Sequence, residues 1–123
     1  NNPGDGLIIK EPFATLIVEG KKTWEIRRRR TNKRGRIYII SEGKIIGSVD
    51  LIDVKGPYSV SELKKFYNYH RVPEDHLRKY GKGQKLYVWV FKNPKKFKKS
   101  IKINVPRGAQ IWVKLEKIKN SSF

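Results

Sequence analysis

A chain of 123 residues with 29 Lys and Arg against 11 Asp and Glu carries a formal net charge of +18, which is too lopsided for a chain seeking neutral partners and points to polyanions. The length suits one compact domain and excludes two of ordinary size. The absence of cysteine excludes a disulfide framework and a thiolate metal site, no apolar run is long enough for a spanning helix or a signal peptide, and 37% hydrophobic residues, with three Trp, six Tyr and five Phe, exclude a disordered basic tail.

Residues 1–6 read as a flexible lead-in of Asn, Pro, Gly and Asp with nothing apolar to bury. A single domain is expected over 7–116, and 117–123 as a frayed tail. Leu7 to Ile9 form a short strand, and Glu11 and Pro12 open a helix whose apolar face is Phe13, Ala14, Leu16 and Ile17. Gly20 closes that helix where a left-handed residue is wanted. The next strand, 23–29, alternates an apolar face of Trp24 and Ile26, with Trp24 assigned to the core, and a charged face of Glu25, Arg27 and Arg29.

A polar turn at 31–35 leads to a strand over 36–41, and Glu42-Gly43 turns it into an antiparallel partner over 44–54. Ser59 with Glu62 three residues later has capping-box spacing, and Leu63, Phe66 and Tyr67 continue that helix to about His70. Pro73, Glu74 and Asp75 start another helix that ends at Gly81. Strands follow at 85–92, interrupted by Pro94, then near 101–105 and 110–115. Five to seven short strands with about three short helices predict an α+β fold whose sheet curls into a small, partly open barrel.

The basic residues are clustered. Residues 21–36 hold nine against one acid, including Lys21, Lys22, Arg27, Arg29 and Arg36, and 92–102 hold six against none, including Lys95 and Lys96. Two such strips are expected to flank one groove and to contact phosphates. Tyr38, Trp89 and Trp112 are candidate stacking platforms for unpaired bases. His70 and His76 match no familiar ligand spacing and read as surface histidines, so no metal and no cofactor is expected. The segment from Gly81 to Lys85 lacks the form of a phosphate-binding loop, and no serine sits in a nucleophile elbow.

Gly20-Lys21-Lys22-Thr23-Trp24-Glu25-Ile26-Arg27 fits Gly-x-Lys-x-x-Glu-x-Arg, and with the order of elements around it the chain resembles the ASCH domain family. The resemblance implies a PUA-like barrel related to modules that recognise RNA and modified nucleotides, with Lys22, Glu25 and Arg27 lining its cleft. It also implies that some members are amidohydrolases that deacetylate acetylcytidine with a motif Lys, a Thr and a helical Glu. Lys22 matches the first; Glu25 stands where the Thr falls; Glu62 or Glu74 could supply the third.

From the residues themselves, Lys22 can hold a phosphate or base oxygen, Glu25 can accept from an exocyclic amine, and Arg27 can grip phosphate with a planar fork. The alternative is that Glu25 only pairs with Arg27 or a nearby Lys. Three functions follow in order. The first is an RNA- or nucleotide-binding domain, RNA being the expected partner and DNA the alternative polyanion. The second is a hydrolase of a modified nucleoside, or less readily a ribonuclease, with Lys22, Glu25 and Glu74 as catalytic candidates. The third is a basic structural protein of an RNA particle. A cytoplasmic location with no membrane partner is expected.

Overall fold

The computed structural model describes residues 4–109 and 111–115. Its elements are β1 (Asp5–Ile8), α1 (Phe13–Val18), β2 (Trp24–Arg27), β3 (Gly35–Ser41), β4 (Lys44–Tyr58), α2 (Val60–Lys64), α3 (Tyr67–His70), α4 (Glu74–Gly81), β5 (Leu86–Lys102) and β6 (Trp112–Lys114). One mixed sheet runs β2-β5-β4-β3-β1-β6, with β1 parallel to β3 and every other pair antiparallel. It curls without closing, so the α+β, partly open barrel is the observed architecture. Positions 1–3, 110 and 116–123, which include parts of the expected lead-in, last strand and tail, lie outside the described residues.

Local chemistry sets most of the elements. Glu42 and Gly43 turn β3 into β4 with φ of 51° and 79°. Ser59 and Glu62 form the full capping box: the Glu62 N–H donates to the Ser59 hydroxyl, and the Ser59 N–H donates to the Glu62 carboxylate. Gly20 ends the α1 turn with φ +80°.

Three expectations are corrected. Pro94 does not interrupt the strand, because Lys92 pairs with Asp50 and Lys95 with Ser48, leaving Asn93 and Pro94 opposite Val49 alone. In that bulge the ladder needs no N–H from proline. The strand near 101–105 is the end of the same β5; only Ile101 and Lys102 belong to it, although Ile103 is buried. The helix expected to run to His70 is two helices, which brings the count among the described residues to four. Its break lies where the Leu63 carbonyl accepts from the Phe66 N–H at 2.9 Å and meets the His70 imidazole at 2.7 Å. Both partners draw that carbonyl away from continued α-helical pairing.

The core has three parts. Inside the curl, Leu7, Ile39, Leu51, Trp89 and Phe91 pack with Ala14, Ile17 and Val18, the buried face of α1. Outside β2 and β5, Ile26 and Val88 are covered by Leu63 of α2 and Leu77 of α4. A third cluster joins Ile40, Ile45, Ile101 and Val113. α1 can sit this close only because β4 carries Gly47, where a Cβ would stand 2.1 Å from the Lys95 carbonyl oxygen and 2.7 Å from Val18.

Candidate functional site

β2 is an edge strand of the sheet, and the curl brings it against β1, where an Arg27 Nη2–H donates to the Ile8 carbonyl at 3.2 Å. The seam between those strands, with α4 along one side, is a cleft of about 420 Å³. Its walls are apolar, from Ile8, Ile9, Phe13, Val72 and Leu77, and its polar groups are Lys22, Glu25 and Arg27, with Lys10, His76 and Tyr80 beside them. A volume of this size and apolar walls with a few convergent polar groups suit a small organic ligand. A second cavity of about 730 Å³ shares Ile8, Ile9, Lys10, Phe13 and His76 with it and extends toward Tyr67 and Arg71.

Strand alternation explains the trio only in part. Glu25 and Arg27 share the inner face of β2, as expected; the Nε–H of Arg27 donates to Glu25 Oε2 at 2.8 Å, and Nη2 stands 2.7 Å from the same oxygen as part of their ion pair. The guanidinium carbon lies 5.5 Å from the centre of the Trp89 ring, so the fork rests on an aromatic floor. Glu25 is 7% exposed and Lys22 only 1%. The Lys22 ammonium stands 3.6 Å from Glu25 Oε1 and donates to the carbonyls of Trp24 at 2.7 Å and His70 at 2.5 Å. Burial pushes its amine down to about 8; Glu25 opposes that fall and the charge of Arg27 adds to it. Glu25 pairs with both cations in the way the simpler alternative required, and does so inside the cleft.

His70 is fully buried, which corrects its reading as a surface histidine. Its Nδ1 accepts from the Val72 N–H at 2.9 Å, so Nε2 carries the proton that it donates to Leu63. Burial lowers its pKa; the bond to the Leu63 carbonyl opposes this and the Lys22 charge adds to it.

The other expected site residues are dispersed. Glu74 lies outside both cavities and is held by Arg78 at 2.7 Å and Lys64 at 3.3 Å, which lower its carboxyl pKa. Glu62 is spent on its capping box. Lys21 is exposed and pairs with Glu19 at 3.2 Å, and Lys96 reaches the same Glu19 at 2.7 Å. Lys95 and Arg29 are exposed, and Arg36 lies 4.0 Å from Asp50.

The basic strips do not share a cavity: Lys22 and Arg27 line the smaller one, and no residue of 92–102 lines either. Lys21 and Lys96 meet beyond α1, whereas Arg28 and Arg30 extend past the other end of β2, against Tyr80 and Tyr87. Nor are the expected platforms open. Trp89 is 3% exposed, stacks on half-buried Trp112 at 5.8 Å and donates to the Arg29 carbonyl, while Tyr38 packs with Phe97 in the third cluster. Trp24 is half-buried at the margin of the second cluster rather than central to it.

Sequence reading missed Phe13, His76 and Tyr80 as lining. His76 and Tyr80 are one helical turn apart on α4, a spacing that could have placed them together. Among the described residues, no three His, Asp or Glu side chains cluster to hold a metal, and no helix is long and apolar enough to cross a membrane.

A family model described as ASCH domain matches residues 7–101. Among solved structures, the crystal structure of ASCH from Zymomonas mobilis is similar with a TM-score of 0.78 and 23% identity, over 92% of this chain and 87% of that one. Two mutant proteins of the same ASCH give TM-scores of 0.77 and 0.74, each at 23% identity. They cover 92% and 95% of this chain and 90% and 92% of theirs. Identity at this level speaks for the fold, a PUA-like open barrel. No curated protein matches the chain.

Proposed function

This chain belongs to the ASCH domain family, and we propose that it binds RNA, or a nucleotide derived from RNA, through the cleft between β1 and β2. The observation that carries this reading is the convergence of Lys22, Glu25 and Arg27 on one apolar-walled cleft of about 420 Å³ in a chain of net charge +18. The walls take the faces of a base, Glu25 accepts from an exocyclic amine, and the guanidinium favours a phosphate or carbonyl oxygen. The exposed lysines and arginines outside the cleft supply attraction that does not depend on sequence.

The test is a titration of one single-stranded RNA against wild type and the Glu25→Gln, Arg27→Ala double variant, each at low and moderate salt. Wild type is expected to bind with a steep salt slope, losing roughly a thousandfold or more over a several-fold rise in salt if six or more phosphates are met. The double variant is expected to weaken by more than one lost charge explains. Equal binding by both proteins would remove the cleft from this reading.

A second reading, hydrolysis of an N-acyl bond on a modified nucleoside such as acetylcytidine, is favoured by the lowered pKa of Lys22. In that chemistry water adds to the acyl carbon, the C–N bond breaks, and the leaving nitrogen takes a proton. Lys22 is already committed to two carbonyls, and neither Glu62 nor Glu74 lines the cleft. Binding therefore stands first. Free cytidine and acetate formed from acetylcytidine would reverse that order.

A further inference from the structure

Among the described residues, three of the five exposed large hydrophobic side chains lie in one short stretch between α2 and α4: Phe66, Tyr67 and Tyr69, with Tyr69 51% exposed. Tyr69 stacks on Trp24 of β2 with ring centres 5.0 Å apart and planes 24° from parallel, and Phe66 leans on the same indole at 5.2 Å. The Lys55 ammonium lies 5.5 Å from the centre of the Trp24 ring. Aromatic residues left in water at this density cost solvation free energy unless something covers them.

The stack is held from below. The Thr23 N–H donates to the Tyr69 carbonyl at 2.9 Å, and the buried Lys22 ammonium donates to the next carbonyl, that of His70. Two hydrogen bonds thus fix the backbone of α3 against β2, and Tyr69 is presented on a rigid mount. The surroundings are cationic: Lys55 and Lys65 are exposed, and Arg71 lies two residues beyond Tyr69. Tyr67 and Arg71 also line the larger cavity, which shares Phe13 and His76 with the cleft as lining.

We propose that the Trp24–Tyr69 stack is a platform for unpaired bases of single-stranded RNA, extending the cleft along α3. This rests on the binding function proposed above and adds where the strand runs beyond the nucleotide held at Glu25 and Arg27. The chemistry selects the occupant. A base has a π-face that continues a parallel ring stack, and its phosphates meet the surrounding lysines and Arg71. A duplex hides its base faces and cannot use the platform.

The test compares wild type, Tyr69→Ala, Tyr69→Leu and Tyr69→Phe for binding to one labelled single-stranded RNA and to a duplex of equal length, over a range of salt. Tyr69→Ala is expected to lose roughly five- to a hundredfold for the single strand, in line with the loss of one stacked base. Its salt slope is expected to stay unchanged. Tyr69→Phe should bind as wild type, and Tyr69→Leu, which keeps apolar bulk without a π-face, should lose as Tyr69→Ala does. Duplex affinity should be the same for all four.

If wild type binds the single strand and both Tyr69→Ala and Tyr69→Leu match it, the platform is overturned and the cleft reading stands. If wild type binds no RNA, both fall, and the aromatic surface is left to a protein partner. A loss on Tyr69→Ala that Tyr69→Leu restores would also overturn the proposal, since apolar cover alone would then be the requirement.

Discussion

The Lys22 ammonium donates to the His70 carbonyl at 2.5 Å, joining the start of β2 to the end of α3 across 48 positions of sequence. The same nitrogen donates to the Trp24 carbonyl and faces Glu25, so a motif residue expected to touch ligand is also a strut of the fold. Replacing it by methionine leaves two carbonyls and part of a carboxylate without their donor in a site 1% exposed. The expected cost is about 3 kcal/mol. Urea unfolding measures it, and a Lys22→Met protein as stable as wild type would remove the strut role. A Lys22→Ala variant inactive in any assay therefore has to be shown folded before its loss is ascribed to chemistry.

The two buried bases next to each other give a pH signature with opposite ends. For Lys22 the unfolded chain keeps its proton up to the ordinary value of 10.5, while the fold releases it near 8. Between those values the unfolded state binds more protons, so this group makes stability rise with pH across that window. For His70 the fold favours the neutral ring below the ordinary 6.5. The unfolded chain then takes up a proton first as pH falls, and stability drops below that point. Unfolding midpoints from pH 5 to 10, with the Lys22→Met curve subtracted at the alkaline end, should show both slopes. A flat acid limb would mean that His70 is not held neutral.

Most elements were readable because their determinants are local. The capping box at Ser59 and Glu62, the Gly20 turn, the Glu42-Gly43 hairpin and the alternation of Glu25 with Ile26 all lie within a few residues of chain. What escaped depends on distant partners. Pro94 is tolerated because Val49 of another strand leaves room for a bulge. The helix breaks after α2 because the buried His70 ring returns to Leu63, a bond that polarity alone did not suggest. Periodicity grouped Phe66 and Tyr67 with Leu63 along one helix, yet Leu63 is buried and those two are exposed, and the aromatics expected to be open proved to be packed. Which ring faces water is decided by how the sheet curls, and no short-range pattern encodes that.

Gly47 is a case where a hidden tertiary constraint can be tested directly. A methyl group there would approach the Lys95 carbonyl oxygen to 2.1 Å and Val18 to 2.7 Å. Backbone and the branched base of a core side chain have little freedom to yield, so β4 and β5 or α1 must separate. Gly47→Ala is expected to destabilise by about 2 kcal/mol or more. A thermal melt checks it, and an unchanged midpoint would show that α1 packs more loosely than these distances require.

Arg27→Lys separates geometry from charge at the cleft. Lysine keeps the positive charge beside Glu25, so any effect that depends only on charge survives the change. An ammonium cannot donate to Glu25, reach the Ile8 carbonyl with a second N–H of the same head group, and lie flat over Trp89 at once, as the guanidinium does. The bond from Arg27 to Ile8 is a direct tie between the two strands that border the cleft, and losing it frees β2 to move from β1. The expected result is a stability loss of about 1–2 kcal/mol, with weaker nucleotide binding and an unchanged salt slope for longer RNA, since the number of cations is the same. If Arg27→Lys binds nucleotide as wild type does, the fork is dispensable for binding and Arg27 serves only as a counter-charge to Glu25. If nucleotide binding falls while stability does not, the fork acts on the ligand itself rather than through the seam of β1 and β2.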